Sequence, residues 1–272
     1  MDQVRSFVAF VYKVYNQYRK YVPAYASAAL SFYLLILIIP ATSIIAWLSN
    51  LFHIDLQMLE SILSQYLQPE YSKIILSVLN RSSVSISSIV ILGFSLYAVS
   101  RGVGNIYLIS KKMFKDPHVE EEGLVGYYGY VFKVTILLLF AMTVVVFLLV
   151  SGPFSKIFHF LTGIAILQYV IMFWLLVVFF MCIYTIVPRA TIDVHDAHAG
   201  AIVASSGILI FYIFFKIYMH FANYRNVYGP LASLVLLLFV FNWSSEVFYI
   251  GMYVTHNLYL RRLKHEKSNL NH

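Results

Sequence analysis

The chain has 272 residues, of which 61% are hydrophobic and only 11% are charged, and its mean hydropathy is +0.78. A soluble domain carries about 25% charged residues, so this chain has too few charges to cover a globular core in water. The composition therefore excludes an ordinary soluble domain and predicts an integral membrane protein. The single cysteine, Cys182, excludes an intramolecular disulfide and, without other soft ligands nearby, argues against a structural zinc site.

The N-terminal segment is mixed and basic instead of apolar, so we expect no cleaved signal peptide and a retained N-terminus. Within residues 1–24 the apolar residues follow steps of three and four, which predicts an amphipathic helix. These residues are Val4, Val8, Val11, Tyr15, Tyr18 and Val22. The helix either lies on the inner membrane surface or packs on the bundle as an ordinary cytosolic helix, and the sequence favours neither alternative.

Six apolar stretches are long enough to cross a bilayer as helices, which takes about 20 residues each. They cover residues 28–52, 83–107, 131–152, 164–187, 197–220 and 231–257. Residues 53–82 are too polar to cross but have helical spacing, which predicts amphipathic helices on the outer face. The predicted fold class is an all-α polytopic membrane helical bundle, with residues 1–272 as a single domain and residues 261–272 as a cytoplasmic tail.

The orientation in the membrane follows from the distribution of lysine and arginine. Counted with the flanks of the spans, 14 of the 19 basic residues fall on the side that holds both termini, and the other 5 fall on the opposite side. This asymmetry satisfies the positive-inside rule, so we expect both ends to be cytoplasmic. The net charge of +7 then faces anionic lipid and is no argument for nucleic-acid binding.

Five short motifs lie in chain order on these spans. They are Ala28-Ala29-Leu30-Ser31-Phe32-Tyr33 with Ile39-Pro40, Ser100-Arg101-Gly102 followed by Asn105, Tyr184-Thr185-Ile186-Val187-Pro188-Arg189, Asp196-Ala197-His198-Ala199-Gly200-Ala201, and Asn226-Val227-Tyr228-Gly229-Pro230-Leu231. In this order they resemble the YihY/BrkB family of bacterial inner-membrane proteins, and the resemblance covers most of the chain. It implies a location in the bacterial inner membrane.

The resemblance implies a fold more clearly than an activity. Some family members have carried the label ribonuclease BN, and others are linked to serum resistance or envelope lipid. The chain departs from the family in the last span, where Gly251-Met252-Tyr253 replaces a Gly-Ala-Glu stretch. The acid lies at Glu246 instead, so a role that the family gives to the later acid does not transfer.

A dense cluster of candidate metal ligands is formed by Asp193, His195, Asp196 and His198. Histidine and carboxylate together suit zinc or manganese. The cluster also lies where the fifth predicted span begins, and aspartates at a helix start cap free amides and complement the dipole. We favour capping, with metal binding as the minority alternative. No catalytic constellation accompanies the cluster, so we expect no enzyme and no cofactor, and ribonuclease is the least favoured function.

Polar residues inside the spans are the strongest candidates for a functional site. Asn242 and Glu246 are one turn apart near the middle of the last span, where an unpaired charge is costly. We predict that both point inward, either as an interhelical hydrogen bond or as a substrate or proton site. Arg101 is the preferred partner for anionic headgroups, and Asn105 belongs to the same candidate site.

Tyr228, Gly229 and Pro230 precede the last span and are interpreted as a turn that leads into its helix, with a gate as the alternative. Two function classes remain. The first is a transporter or flippase-like protein for a lipid-linked or amphipathic anion in envelope maintenance, with anionic membrane lipids as partners. The second is a non-transporting scaffold or envelope-assembly factor. A homo-oligomer is compatible with both, and a cavity lined by the candidate site residues would favour the first.

Overall fold

The computed structural model describes residues 2–36, 86–114, 123–150, 165–221 and 225–270. All regular structure in these ranges is helical, and no strand occurs in them. The helices are α1 (Asp2–Tyr21), α2 (Ala24–Ile36), α3 (Ile86–Met113), α4 (Leu124–Val150), α5 (Ala165–Ile186), α6 (Val194–Phe221) and α7 (Arg225–Leu270). The predicted all-α class is confirmed.

Three of the described helices are long and apolar enough to cross a membrane. The candidate spans are Tyr169–Ile186 in α5, Val194–Tyr218 in α6 and Val235–Asn269 in α7, and they overlap the last three predicted spans. The shorter apolar helices Ala24–Ile36 and Leu124–Phe140 match the first parts of the first and third predicted spans. The rest of the first span and the predicted outer helices at residues 53–82 lie outside the described residues.

Prolines set two of the helix boundaries. Pro23 separates α1 from α2 because it has no N–H to donate to α1. The amide of Val22 still donates to the carbonyl of Tyr18 at 3.0 Å, which closes α1 immediately before the break. α5 ends at Ile186, two residues before Pro188, because the residue that precedes a proline disfavours the helical conformation.

The chain divides into two compact units, Met1–Phe32 with Val103–His272, and Tyr33–Gly102. In the first unit α6 packs along both α5 and α7. The backbones of α6 and α7 approach closely because glycines face each other: a Cβ at Gly251 would lie 2.7 Å from the carbonyl oxygen of Gly200. In the second unit α2 and α3 meet at Gly102, where an added Cβ would lie 3.4 Å from the Cβ of Tyr33.

The C-terminal end of α1 packs against α7. Tyr18 and Val22 are buried, whereas Tyr15 is half-exposed. The ring centres of Tyr18 and Tyr253 lie 5.6 Å apart in an edge contact. The alternative in which the N-terminal helix packs on the bundle therefore describes this end of α1. At the other terminus α7 continues as a helix to Leu270, so the predicted tail is helical up to that residue.

Candidate functional site

Glu246 lies in the middle of α7 and is bound by side chains of two other helices. The hydroxyl of Tyr18 in α1 donates to Oε1 at 3.0 Å, and the hydroxyl of Ser27 in α2 donates to Oε2. Nη2 of Arg19 forms an ion pair with Oε1 at 2.8 Å. Each carboxylate oxygen thus has a hydroxyl donor, and one also has a cation. Glu246 is therefore turned toward the protein, as predicted.

The guanidinium of Arg19 is held by aromatic residues of its own helix. Nε donates to the hydroxyl of Tyr15 at 3.1 Å. The guanidinium carbon lies 5.1 Å from the centre of the Tyr15 ring and 5.2 Å from that of Tyr18, within the range of cation–π attraction. Nη1 is covered and has no hydrogen-bond partner among the described residues. The side chains of Arg19 and Glu246 are 25% and 23% exposed, so the pair is partly accessible.

The phenol of Tyr18 stays protonated in this environment. Burial raises its pKa, and the carboxylate of Glu246 raises it further, because a second anion beside the carboxylate is disfavoured. A protonated phenol can donate a hydrogen bond, so the shift of the pKa preserves the contact with Oε1 of Glu246.

Asn105 lies in α3 beside this network. Its Nδ2 donates to the carbonyl oxygen of Ala26 at 3.3 Å and to the hydroxyl of Tyr249 at 3.3 Å. Ala26 directly precedes Ser27, and Tyr249 lies one turn after Glu246 on α7. The predicted site residue Asn105 therefore fixes the start of α2 against α7 next to the carboxylate.

Asn242 does not share the environment of Glu246. Asn242 is exposed, whereas Glu246 is half-buried. The prediction that both side chains point inward is wrong for Asn242. A step of four residues overshoots a full helical turn by about 40°, which is enough to move a side chain from the packed face to its edge.

The cation that the described contacts place beside Glu246 is Arg19, a residue that the sequence analysis did not single out. Arg101 is exposed and belongs to the second compact unit. Arg19 reaches the carboxylate because Pro23 ends α1 and turns the chain into α2, so that both helices meet α7 at this level. A contact of Arg101 with anionic headgroups stays a prediction.

The backbone of Tyr228, Gly229 and Pro230 is helical and lies in the first two turns of α7, which begins at Arg225. These three residues are therefore part of the α7 helix and not a turn that precedes it. A proline this close to a helix N-terminus interrupts at most one intrahelical hydrogen bond, so the helix can begin earlier than the motif indicates. The gate alternative stays a prediction.

Sequence reasoning missed Tyr18, Arg19 and Ser27 as site residues. Tyr18 and Ser27 lie 228 and 219 residues before Glu246 in the chain, a separation that no local pattern can connect. One signal was present in Glu246 itself, since an acid within a span requires a polar or cationic partner.

The cluster at residues 193–198 forms a helix cap and an ion pair. The amide of His195 donates to Oδ1 of Asp193 at 3.2 Å, which makes Asp193 the N-cap of α6 and confirms the predicted cap. Nη1 of Arg262 pairs with Oδ2 of Asp193 at 2.7 Å, and Nε of Arg262 lies 3.5 Å from Oδ2 of Asp196. The backbone amide of His195, followed by the Arg262 charge, lowers the pKa of the Asp193 carboxyl.

The described ranges contain no group of three His, Cys, Asp or Glu side chains that could hold a metal ion. His198, a member of the predicted cluster, stacks on Trp174 with the ring centres 6.3 Å apart. The two aspartates of the cluster thus face Arg262, whereas His198 stacks on an aromatic ring of α5.

A buried polar group that the sequence did not single out is His256 in α7. Its side chain is 2% exposed, and neither ring nitrogen has a hydrogen-bond partner in the part of the chain that the structure describes. Its ring centre lies 4.9 Å from that of Tyr21, 5.3 Å from that of Phe114 and 6.3 Å from that of Tyr253. An enclosed imidazole that lacks an acceptor for its N–H lowers the stability of the fold.

An open apolar groove of about 460 Å³ lies between α6 and α7. It is lined by Phe211, Phe214, Phe215, Tyr218, Val235, Leu236 and Phe239. None of the predicted polar site residues is among them. This groove is therefore not the polar cavity that the transporter hypothesis requires.

The comparisons with known proteins give one result. The model of a protein family described as virulence factor BrkB matches residues 15–271. Neither the curated proteins nor the solved structures gave a match. The matched range includes Arg19 and Glu246 together with the five motifs, and it covers nearly the whole chain. The resemblance drawn from the motifs is therefore confirmed, and this membrane protein belongs to the BrkB virulence factor family.

Proposed function

We propose that the chain is a transporter or flippase-like protein of the bacterial inner membrane that handles a lipid-linked or amphipathic anion. The observation that carries the proposal is the Arg19–Glu246 ion pair, in which Glu246 belongs to a candidate membrane span and both side chains are still about a quarter exposed. A charge in a span is costly unless protein or water surrounds it, so a partly exposed pair favours contact with water or a polar ligand.

The depth of Glu246 supports this interpretation. With a rise of about 1.5 Å per residue, Glu246 lies roughly 22 Å along the helix from Leu231, inside a hydrocarbon core of about 30 Å. If both termini are cytoplasmic, as the distribution of basic residues favours, this level is near the inner leaflet. Anionic headgroups of that leaflet are then within reach of α1.

Cysteine labelling tests the orientation that the proposal uses. On a Cys182→Ser background, single cysteines at either terminus should react with an impermeant reagent only after the cells are opened. Labelling of either terminus from outside intact cells would contradict the proposed orientation.

A non-transporting scaffold is the second candidate. It is favoured by the hydrogen bonds of Glu246, because each of its two carboxylate oxygens accepts one from a protein hydroxyl. Such bonds are expected of a polar contact that only holds helices together. We assign no catalytic reaction to the chain, because Asp193 and Asp196 are engaged by the helix cap and by Arg262.

Lipid movement in proteoliposomes separates the two candidates. Vesicles that contain fluorescent phosphatidylglycerol or phosphatidylcholine are treated with dithionite, and the fraction of label that is quenched reports exchange between leaflets. We expect the wild-type chain to accelerate exchange of the anionic lipid, Glu246→Gln to lose most of this activity, and the matched control Asn242→Ala to keep it. If folded wild-type protein moves neither lipid, the scaffold is the better description.

A further inference from the structure

We propose that Arg19 is the cation of a phosphate-binding site and that Glu246 competes with the phosphate for it. This inference deepens the proposed function, since it names the ligand chemistry of the same site. The guanidinium carries parallel N–H donors that fit two phosphate oxygens, and Glu246 occupies only one of its arms, Nη2. The other arm, Nη1, has no hydrogen-bond partner among the described residues.

Glu246 can release Arg19 without becoming an unpaired group. Once the guanidinium leaves, Oε1 still accepts from the Tyr18 hydroxyl and Oε2 from the Ser27 hydroxyl. A buried acceptor with no donor is destabilising, so these two hydroxyls lower the cost of breaking the ion pair. The carboxylate therefore has one set of donors that stays and one cation that can leave.

Arg19 keeps one support when it leaves Glu246. Tyr15, whose hydroxyl accepts from Nε and whose ring lies beside the guanidinium, is one turn earlier on the same helix and makes no contact with Glu246 among those described. Nη1 is covered while the ion pair exists. Both Nη1 and Nη2 therefore become available to a phosphate only when the Arg19 side chain swings outward. The adjacent Lys20 is exposed and adds positive charge to the same last turn of α1.

Native mass spectrometry of the full-length chain in detergent tests this exchange. The purified protein is titrated with phosphatidylglycerol or phosphatidylcholine of the same acyl chains, and with inorganic phosphate as a competitor. We expect the wild-type chain to prefer phosphatidylglycerol and Arg19→Gln to lose the preference. Glu246→Gln removes the competing charge and should bind the anionic lipid about tenfold more tightly, a coupling of ordinary size.

Lys20→Gln is the matched control, because it removes one positive charge from the same helix without touching the ion pair. It should change the preference by less than Arg19→Gln does. The double variant Arg19→Gln with Glu246→Gln leaves no unpaired charge at the site, so it should fold and still lack the preference. Displacement of the lipid by millimolar inorganic phosphate would assign the site to free phosphate, and resistance would assign it to a lipid headgroup.

Unchanged lipid preference in Arg19→Gln, or weaker binding in Glu246→Gln, would overturn the exchange. The outcome is independent of the lipid-movement assay. Binding of phosphatidylglycerol through Arg19 without lipid movement would support the phosphate site and contradict the transporter proposal. Lipid movement that does not depend on binding through Arg19 would support the transporter proposal and contradict the phosphate site.

Discussion

The close approach of α6 and α7 predicts that Gly251→Ala destabilises the protein. The added Cβ would meet the hydroxyl of Tyr184 at 2.5 Å, the carbonyl oxygen of Gly200 at 2.7 Å and the Cβ of Ala204 at 2.8 Å, whereas ordinary contact begins at 3.4 Å. The last two atoms belong to or directly join the backbone of α6, so the helices must separate.

The size of the effect follows from three terms. Overpacking costs about 1–3 kcal/mol. Displacement of the Tyr184 hydroxyl from its hydrogen bond to the carbonyl of Phe248, now 2.6 Å long, costs about 1 kcal/mol more. The higher helix propensity of alanine returns about 1 kcal/mol. We expect a net loss of about 2 kcal/mol, or a Tm roughly 4–8 °C lower in a thermal unfolding assay in detergent.

Gly129→Ala is the matched control, since Gly129 is helical and exposed, and an added Cβ there meets nothing within 4 Å. It should leave the Tm unchanged or raise it. If Gly251→Ala were as stable as the wild type while Gly129→Ala behaved as expected, the glycine contact between α6 and α7 would not be as close as described.

Three further predictions concern polar groups away from the Arg19–Glu246 pair. His256→Leu should raise the Tm by about 2–4 °C, because it removes a buried ring without hydrogen bonds at a gain of about 1 kcal/mol, and an unchanged or lower Tm would indicate a partner for the ring. The folded-state pKa of Asp193 is lowered, so its stabilising contribution is present above its unfolded pKa of about 3.9 and is lost as the pH falls through the folded value. Acidification below about pH 4 should therefore lower the Tm of the wild type more than that of Asp193→Asn, and equal losses would contradict the stabilisation of the Asp193 carboxylate by the His195 amide and Arg262. The double variant His195→Ala with His198→Ala should keep lipid movement. Elemental analysis of the wild type, purified without chelator, should find no stoichiometric transition metal. One equivalent of metal in the wild type that is lost in the double variant would support the metal hypothesis instead.

The sequence predicts the helices well because lipid imposes a simple rule. An apolar run of about 20 residues must be helical in a bilayer, so residues 164–187, 197–220 and 231–257 could be assigned from composition alone. The cap at Asp193 was equally predictable, because it depends on residues two apart. These features require only local chemistry.

The site was less predictable because it depends on helix packing. Glu246 could be found as an acid in an apolar run, but the identity of its cation depends on which helix lies next to α7. The sequence alone does not pair Arg19 with Glu246, because that pairing depends on the packing of α1 against α7. The exposure of Asn242 likewise depends on the rotation of α7 about its axis. Residue spacing gives the position of Asn242 relative to Glu246 on the helix, but it does not give the direction in which the helix presents each side chain.

The length of α7 has a practical consequence. Its 46 residues span about 69 Å, more than twice the hydrocarbon thickness of about 30 Å. A detergent belt can therefore cover only part of this helix, and its basic end, past Arg261, extends into water as a continuous helix up to Leu270. A helical fusion partner joined in register there would share the axis of α7, and its orientation would give a small membrane protein a rigid marker for particle alignment in cryo-electron microscopy.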